Sequence, residues 1–561
     1  MRSGHVTFGS TMLLMAAALL PMVATGGVFA AEGKTYYVSP QGSDENSGLS
    51  AGKAFATIAK AATLAAAGDT VNILPGTYVG RIRPAHGGTA EAPITYRRQG
   101  EGEVVITTSK ETDGGKWEER FAWKLGAGND YTIIDGMTFR DAEGWVYIGD
   151  YAHHNTVRNC TFERCRMYHG IYVNNGSYNA IAGCKFLDAI AYPEGWTPDD
   201  PEPALADYIS LWRDSHYNLV EGNEFHEITH VAVSIMGHDP DCIASHNIIR
   251  GNTFHEPKWK CVSFHAAAHT LVEDNTMTGL AASFIQFHAE KTIVRRNIFT
   301  HCRAVRSKPH PTYFHGVLWL KSSVDEYGSM DLAQHSRIYN NTFVDCQVPL
   351  TYRGVAGTLL PVSDNVFKNN LFSGFTTPLR LPMPFYKNFT TQQANLFTGN
   401  LLFGGPEDGK VFELIPDGKE PGQLMTLAEV VAESPKMCRR QLFDGNLEAD
   451  PKLTAPDKGD FRPAPGSPCI DGGAALTRTR FAGQGTQVVV EDALYFCDGF
   501  RRIDGDLVRI GGNDAVRVTA VDYDMRTLTV DRELTWAAGD AVNLAYQGKA
   551  PDIGAVETGA K

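Results

Sequence analysis

The chain has 561 residues, 43% of them hydrophobic and 20% charged, which is too long for one ordinary compact domain. It therefore holds several domains or one elongated one. Its formal charge of −13 speaks against nucleic acid and anionic membranes as partners, and 56 glycines favour turn-rich β structure.

At the N-terminus, Met1-Arg2 leads through a polar stretch into an apolar run that ends in Val28-Phe29-Ala30. Small residues at the −3 and −1 positions predict a secretory signal peptide over residues 1–30, with export and no membrane insertion. No later run of about 18 apolar residues follows. In an oxidising compartment the ten cysteines could pair. However, Cys160 and Cys184 fall at equivalent repeat positions, as do Cys165, Cys302 and Cys346, which predicts mostly buried free thiols. Cys438, Cys469 and Cys497 are the better bridge candidates.

Residues 31–125 open with a strand at Tyr36-Tyr37-Val38, a polar turn, and a helix over Phe55 to Ala66 that Gly68 ends, followed by a strand from Thr70 to Leu74. Tyr36-Tyr37-Val38-Ser39-Pro40 with Gly42 and Asp44, Phe55-Ala56-Thr57-Ile58, Gly68-Asp69-Thr70-Val71 and Pro75-Gly76-Thr77-Tyr78 occur in that order. This opening resembles the leading segment of secreted right-handed parallel β-helix proteins of the pectate-lyase-like, polysaccharide-active group. The resemblance implies an all-β solenoid whose N-terminal helix plugs the open end. Lyases and hydrolases share it, so it implies no single activity.

From Gly126 to about Leu402, within a solenoid domain expected over 126–480, the sequence repeats itself. Met137, Cys160, Cys184, Asn223, Asn252, Asn275, Asn297, Asn341, Asn370 and Asn400 anchor segments that carry Phe or another apolar residue two positions later. The base period is about 22 to 24 residues, lengthened by insertions, as suits one coil of a β-solenoid with Phe inside and Asn stacked in a bend. Residues 481–548 read as a small antiparallel β lobe, inserted between Ser467-Pro468-Cys469-Ile470-Asp471-Gly472 and Pro551-Asp552-Ile553-Gly554, phrases that follow each other closely in the proteins this chain resembles; residues 549–561 form the C-terminal finish.

Equivalent outward positions of successive coils stack about 4.8 Å apart. Counting back ten residues from the anchors gives Asp150, Asn174, Arg213 and His265. His288 is the partner of His265, and a looser alignment adds His238 and Lys321. Trp212, Phe264, Phe287 and Leu320 are expected to point inward beside this stripe. A basic segment with Arg295, Arg296, His301, Arg303, Arg306, Lys308 and His310 could hold carboxylates. An acidic loop with Trp196, Asp199, Asp200 and Asp207 could stack on a sugar and bind Ca²⁺ through oxygen ligands.

These residues suit β-elimination on a uronic-acid polysaccharide. Arg213 with Lys321 or Arg306 pairs with the carboxylate, and His265 or His288 exchanges the proton, while His238, Asn174, Asp150, Arg303, Lys308 and Trp196 bind the chain. No cofactor is required beyond possible Ca²⁺, and the protein is expected to act as a monomer. Two alternatives are a glycoside hydrolase using Asp150, Asp214, Asp239 or Glu290, and a solenoid that only binds carbohydrate.

Overall fold

The computed structural model describes residues 33–108, 116–188, 206–237, 242–279, 283–303, 316–324, 330–354, 362–383, 394–416, 422–438 and 441–559. Within them the chain winds as a solenoid whose coils lay parallel strands on three sheets. The first sheet has 13 strands, from Thr35–Val38 to Leu396–Thr398, and the second has 13, from Gly76–Val79 to Leu447–Glu448. The third runs from Phe121–Leu125 through Gly144–Gly149, His169–Asn174, Asp207–Trp212, Val231–Met236, Lys260–His265 and Ser283–Phe287 to Leu318–Val324, with Leu350–Gly354 pairing beyond. Neighbouring coils pair in parallel throughout these rows.

Repetition in the sequence becomes stacking in the core. Phe139, Phe162, Phe186, Phe225 and Phe254 stack with centroids 4.7–5.1 Å apart, and Phe299, Phe343 and Phe372 continue the column above Met277. Truncating one such ring to Ala is expected to cost about 3–5 kcal/mol. The anchor asparagines form the ladder that their spacing predicts. Asn223 Nδ2 donates to Asn252 Oδ1, Asn252 to Asn275, Asn275 to Asn297 and Asn297 to Asn341, each at 2.9–3.0 Å. The ladder goes on through Asn370 and Asn400 to Asn446. A second ladder, Asn179 to Asn218 to Asn247, lines the bend between the third and first sheets.

The N-terminal helix is shorter than its periodicity predicts, Ile58–Ala62, with Thr57 capping the Lys60 amide. Its buried Ile58, Ala61 and Ala62 enter the main core. Cys469 and Cys497, two of the expected bridge candidates, are buried thiols without a disulfide, as are Cys160, Cys165, Cys184, Cys261 and Cys346; the side chain of Cys438 lies outside the described residues.

The C-terminal lobe is a six-stranded antiparallel sheet from Thr477–Arg478 to Ala541–Leu544. The segments on either side of it meet directly: Ile553 N donates to Cys469 O at 2.9 Å and Gly473 N to Pro551 O at 2.7 Å, so the lobe is an insertion between touching pieces of chain. Its apolar face covers the outer side of the first sheet. Leu219, Ile248, Leu271, Ile293, Tyr339 and Val366 pack there against Val488, Val508, Val516, Leu528 and Val530. Arg295 pins the junction, donating to Glu273 at 2.9 Å, Tyr339 at 2.9 Å and Asp506 at 2.8 Å.

Candidate functional site

The outer face of the third sheet carries two polar nests. The register runs Tyr147, Tyr172, Ser210, Ser234, Ser263, Gln286 and Trp319 in one row. Two positions on lie Gly149, Asn174, Trp212, Met236 and His265, continued by His288 and Lys321. At the start of the same strands, His169, Asp207, Val231, Lys260 and Ser283 are paired in turn.

This third row forms the first nest. Asp207 and Ser210 are three apart, which a regular strand of period two would send to opposite faces. The ladder skips Tyr208, which lies between them, and Gly170 on the neighbouring strand, and Ser210 Oγ donates to Asp207 Oδ2 at 3.2 Å. His169 Nδ1 lies 2.7 Å from Ser210 Oγ, and His230 Nδ1 stands 2.6 Å from Asp207 Oδ1. Asp207 is buried, and that burial alone would raise its pKa. The charges of His230, His169 and Lys260 prevail, together with the His230 hydrogen bond, and hold it below the usual carboxylate range.

Aromatic rings wall this nest. Trp117 stands edge-on to Tyr172 at 4.8 Å and to His169 at 5.7 Å, with Phe121, Tyr147 and Trp212 around them. Gly149 makes this packing possible, since a Cβ there would meet the Tyr147 ring at 2.3 Å. Trp117 and Tyr168 are the exposed rings, at 38% and 42%; Tyr168 lies 4.6 Å from His169 and 5.7 Å from His230.

The second nest lies on the following rungs. His265 and His288 are edge-to-face at 4.7 Å, and Gln286 Nε2 is 3.2 Å from His265 Nε2 and 3.3 Å from His288 Nε2. The stripe thus sets His265, His288 and Lys321 on successive rungs, with Asn174 in the same row three rungs from His265. His265 is half-buried, whereas His288 is fully buried.

Asp150 and Arg213 are not in the stripe. Both take left-handed φ in the turn just after it, as Asn175 and Ala266 do. Their rung positions belong to Gly149 and Trp212, so Trp212 points outward and Leu211 takes the inward place beside Phe264, Phe287 and Leu320. The cause is turn length. Asn174 to Asn179 and His265 to Thr270 span five positions, but Gly149 to Asn155 and Trp212 to Asn218 span six, so a fixed count slips by one. Arg213 is exposed, and its charge is still felt at Tyr147 and Tyr172.

The described part of the basic segment, Arg295, Arg296, His301 and Arg303, is spread from the first sheet past the second rather than gathered on one face. Arg295 and Arg296 are tied to Glu273 on the first sheet, and Arg303 grips Asp345 at 2.6 Å. Asp207 belongs to the first nest, where His230 and Ser210 occupy its two oxygens, so it does not fit a calcium site. His238, Trp196, Asp199, Asp200, Arg306 and Lys308 lie outside the described residues. His169, His230 and Lys260 were not singled out from the sequence, because counting back from the anchors reaches only the C-terminal ends of these strands.

Residues 207–310 match the profile of the right-handed β-helix region. The chain is a right-handed parallel β-helix. An uncharacterized protein of Bacillus subtilis (strain 168), YwoF, is 47% identical over 109 residues, a match spanning 19% of this chain and 22% of the relative. Among solved structures, XylC in complex with xylose is similar with a TM-score of 0.48 and 14% identity, over 91% of this chain and 99% of that one. A mannuronic acid specific polysaccharide family 6 lyase from human gut microbiota gives 0.47 and 16%, over 71% and 89%.

Proposed function

We propose that the protein is an exported polysaccharide lyase that holds a uronic-acid-containing chain along the outer face of the third sheet and cleaves it by β-elimination. The observation that carries this reading is the Asp207–His230 pair set beside Lys260 and His169, beneath two exposed aromatic rings. Asp207 accepts from His230 Nδ1–H, which fixes the tautomer and leaves Nε2 as the proton acceptor.

In this scheme Lys260 faces the sugar carboxylate and lowers the barrier to deprotonation next to it. His230 takes the proton from C5, the C5–H electrons form the C4–C5 double bond, and the C4–O bond breaks. His169 returns a proton to the leaving oxygen. Trp117 and Tyr168 stack on the sugars, and His265 and Lys321 hold the next one. His288, fully buried, is a support for His265 rather than the base. A hydrolase would need a second carboxylate at working distance. Among the described residues of the three outward rows Asp207 is the one carboxylate, which favours elimination.

The test is a panel of alginate, pectate and glycosaminoglycans, with and without a chelator. Ultraviolet-absorbing products support a lyase, reducing ends without that absorbance a hydrolase, and retention without products a binding protein. Loss of activity with chelator alone would bring calcium back into the scheme.

A further inference from the structure

We propose that the outer face of the second sheet carries a binding site for a divalent transition-metal ion, built from Glu224, His226 and His255. Glu224 pairs with Thr253 and Phe225 with Phe254, and continuing this register sets His226 opposite His255 on the next coil. The two imidazoles stack at 4.4 Å, 12° from parallel. Glu224 Oε1 lies 2.8 Å from His226 Nε2 and 3.7 Å from His255 Nε2, and one ligand atom from each residue falls within 4.8 Å of the others.

Two imidazoles and one carboxylate are a donor set for zinc and its neighbours rather than for calcium, whose ligands are oxygens. All three side chains are about one-third exposed, so an ion can enter and keep water in its open positions. To share an ion the two stacked rings tilt away from parallel, so that both Nε2 atoms reach about 2.1 Å from it. Lys185 Nζ, 3.3 Å from Glu224 Oε2, is the competing cation. The site lies on a different sheet from the proposed catalytic nests and stands independently of them.

The test uses the full chain, freed of affinity tag and metal, titrated calorimetrically with Zn²⁺ and followed with Co²⁺ by its visible absorption. One ion per chain is expected. Glu224→Gln and His255→Ala should each weaken binding by about tenfold or more. Lys185→Ala should tighten it, a gain that misfolding cannot imitate. His265→Ala with His288→Ala should leave the affinity unchanged. Absence of saturable binding, affinity unchanged from the intact chain in both Glu224→Gln and His255→Ala, or loss of binding only in the His265/His288 variant would overturn the proposal.

Discussion

His230 Nδ1 stands 2.6 Å from Asp207 Oδ1, joining adjacent rungs of the third sheet through a carboxylate that is 1% exposed. A buried charge so placed is held by its partners. His230→Ala leaves Asp207 with part of its compensation gone, and a loss of about 3 kcal/mol in unfolding free energy is expected by urea denaturation. His230→Gln, which keeps a donor, should lose far less stability and nearly all activity.

The shift at Asp207 also gives the pair a pH signature. Its folded pKa lies below the unfolded one, so its contribution is complete above the unfolded value and disappears as pH falls through the folded value. Asp207→Asn should flatten that part of the acid-denaturation curve.

A second pH effect belongs to the lobe. Tyr131, His154, Tyr178, Tyr217, His246 and His269 form a stacked column on the turns, closed by Tyr523 and Phe500 from the lobe. Burial lowers His269 to about 4, and His246 is lowered too. Because the folded state disfavours the charged form, stability is full above about 6.5 and falls as pH drops towards 4, by on the order of 2–3 kcal/mol for His269. Thermal scans across that window should show the fall, and His269→Phe should reduce it.

The Arg295 junction predicts a strong effect from one substitution. Asp506→Ala removes a partner from a guanidinium that is 2% exposed and also linked to Glu273 and Tyr339. A loss of about 3–5 kcal/mol is expected. Limited proteolysis should then cut the lobe strands while the solenoid persists.

Trp117→Ala tests the wall of the site. The ring is partly exposed, so melting temperature should move little, while the apparent affinity for polysaccharide should fall by about 1 kcal/mol, roughly fivefold. Affinity electrophoresis would read it.

What repeats in every coil was legible. Asn223 to Asn400 and the Phe residues two positions on occupy fixed places in each rung, so their spacing alone predicted the ladder and the stack. The functional face was less legible because the turn between the third sheet and the Asn ladder differs by one residue from coil to coil, enough to confuse Arg213 with Trp212. His169, Asp207 and Lys260 lie five positions before Asn174, Trp212 and His265, so the same slip hides Asp207: fifteen positions back from Cys184 and Asn275 lie His169 and Lys260, but fifteen back from Asn223 lies Tyr208. The docking of the lobe left a signal as well. Leu219-Val220, Ile248-Ile249, Leu271-Val272 and Ile293-Val294 are apolar on both faces of the first sheet, and an outer apolar stripe of that length calls for a cover.

The most direct measurement is the ultraviolet absorbance released from uronic-acid polysaccharides by the intact protein and by His230→Gln, side by side and at equal folded concentration. The account predicts a steady rise for the intact protein on at least one polyuronate and almost none for the variant. No rise with any polyuronate, or an equal rise from both proteins, would contradict it.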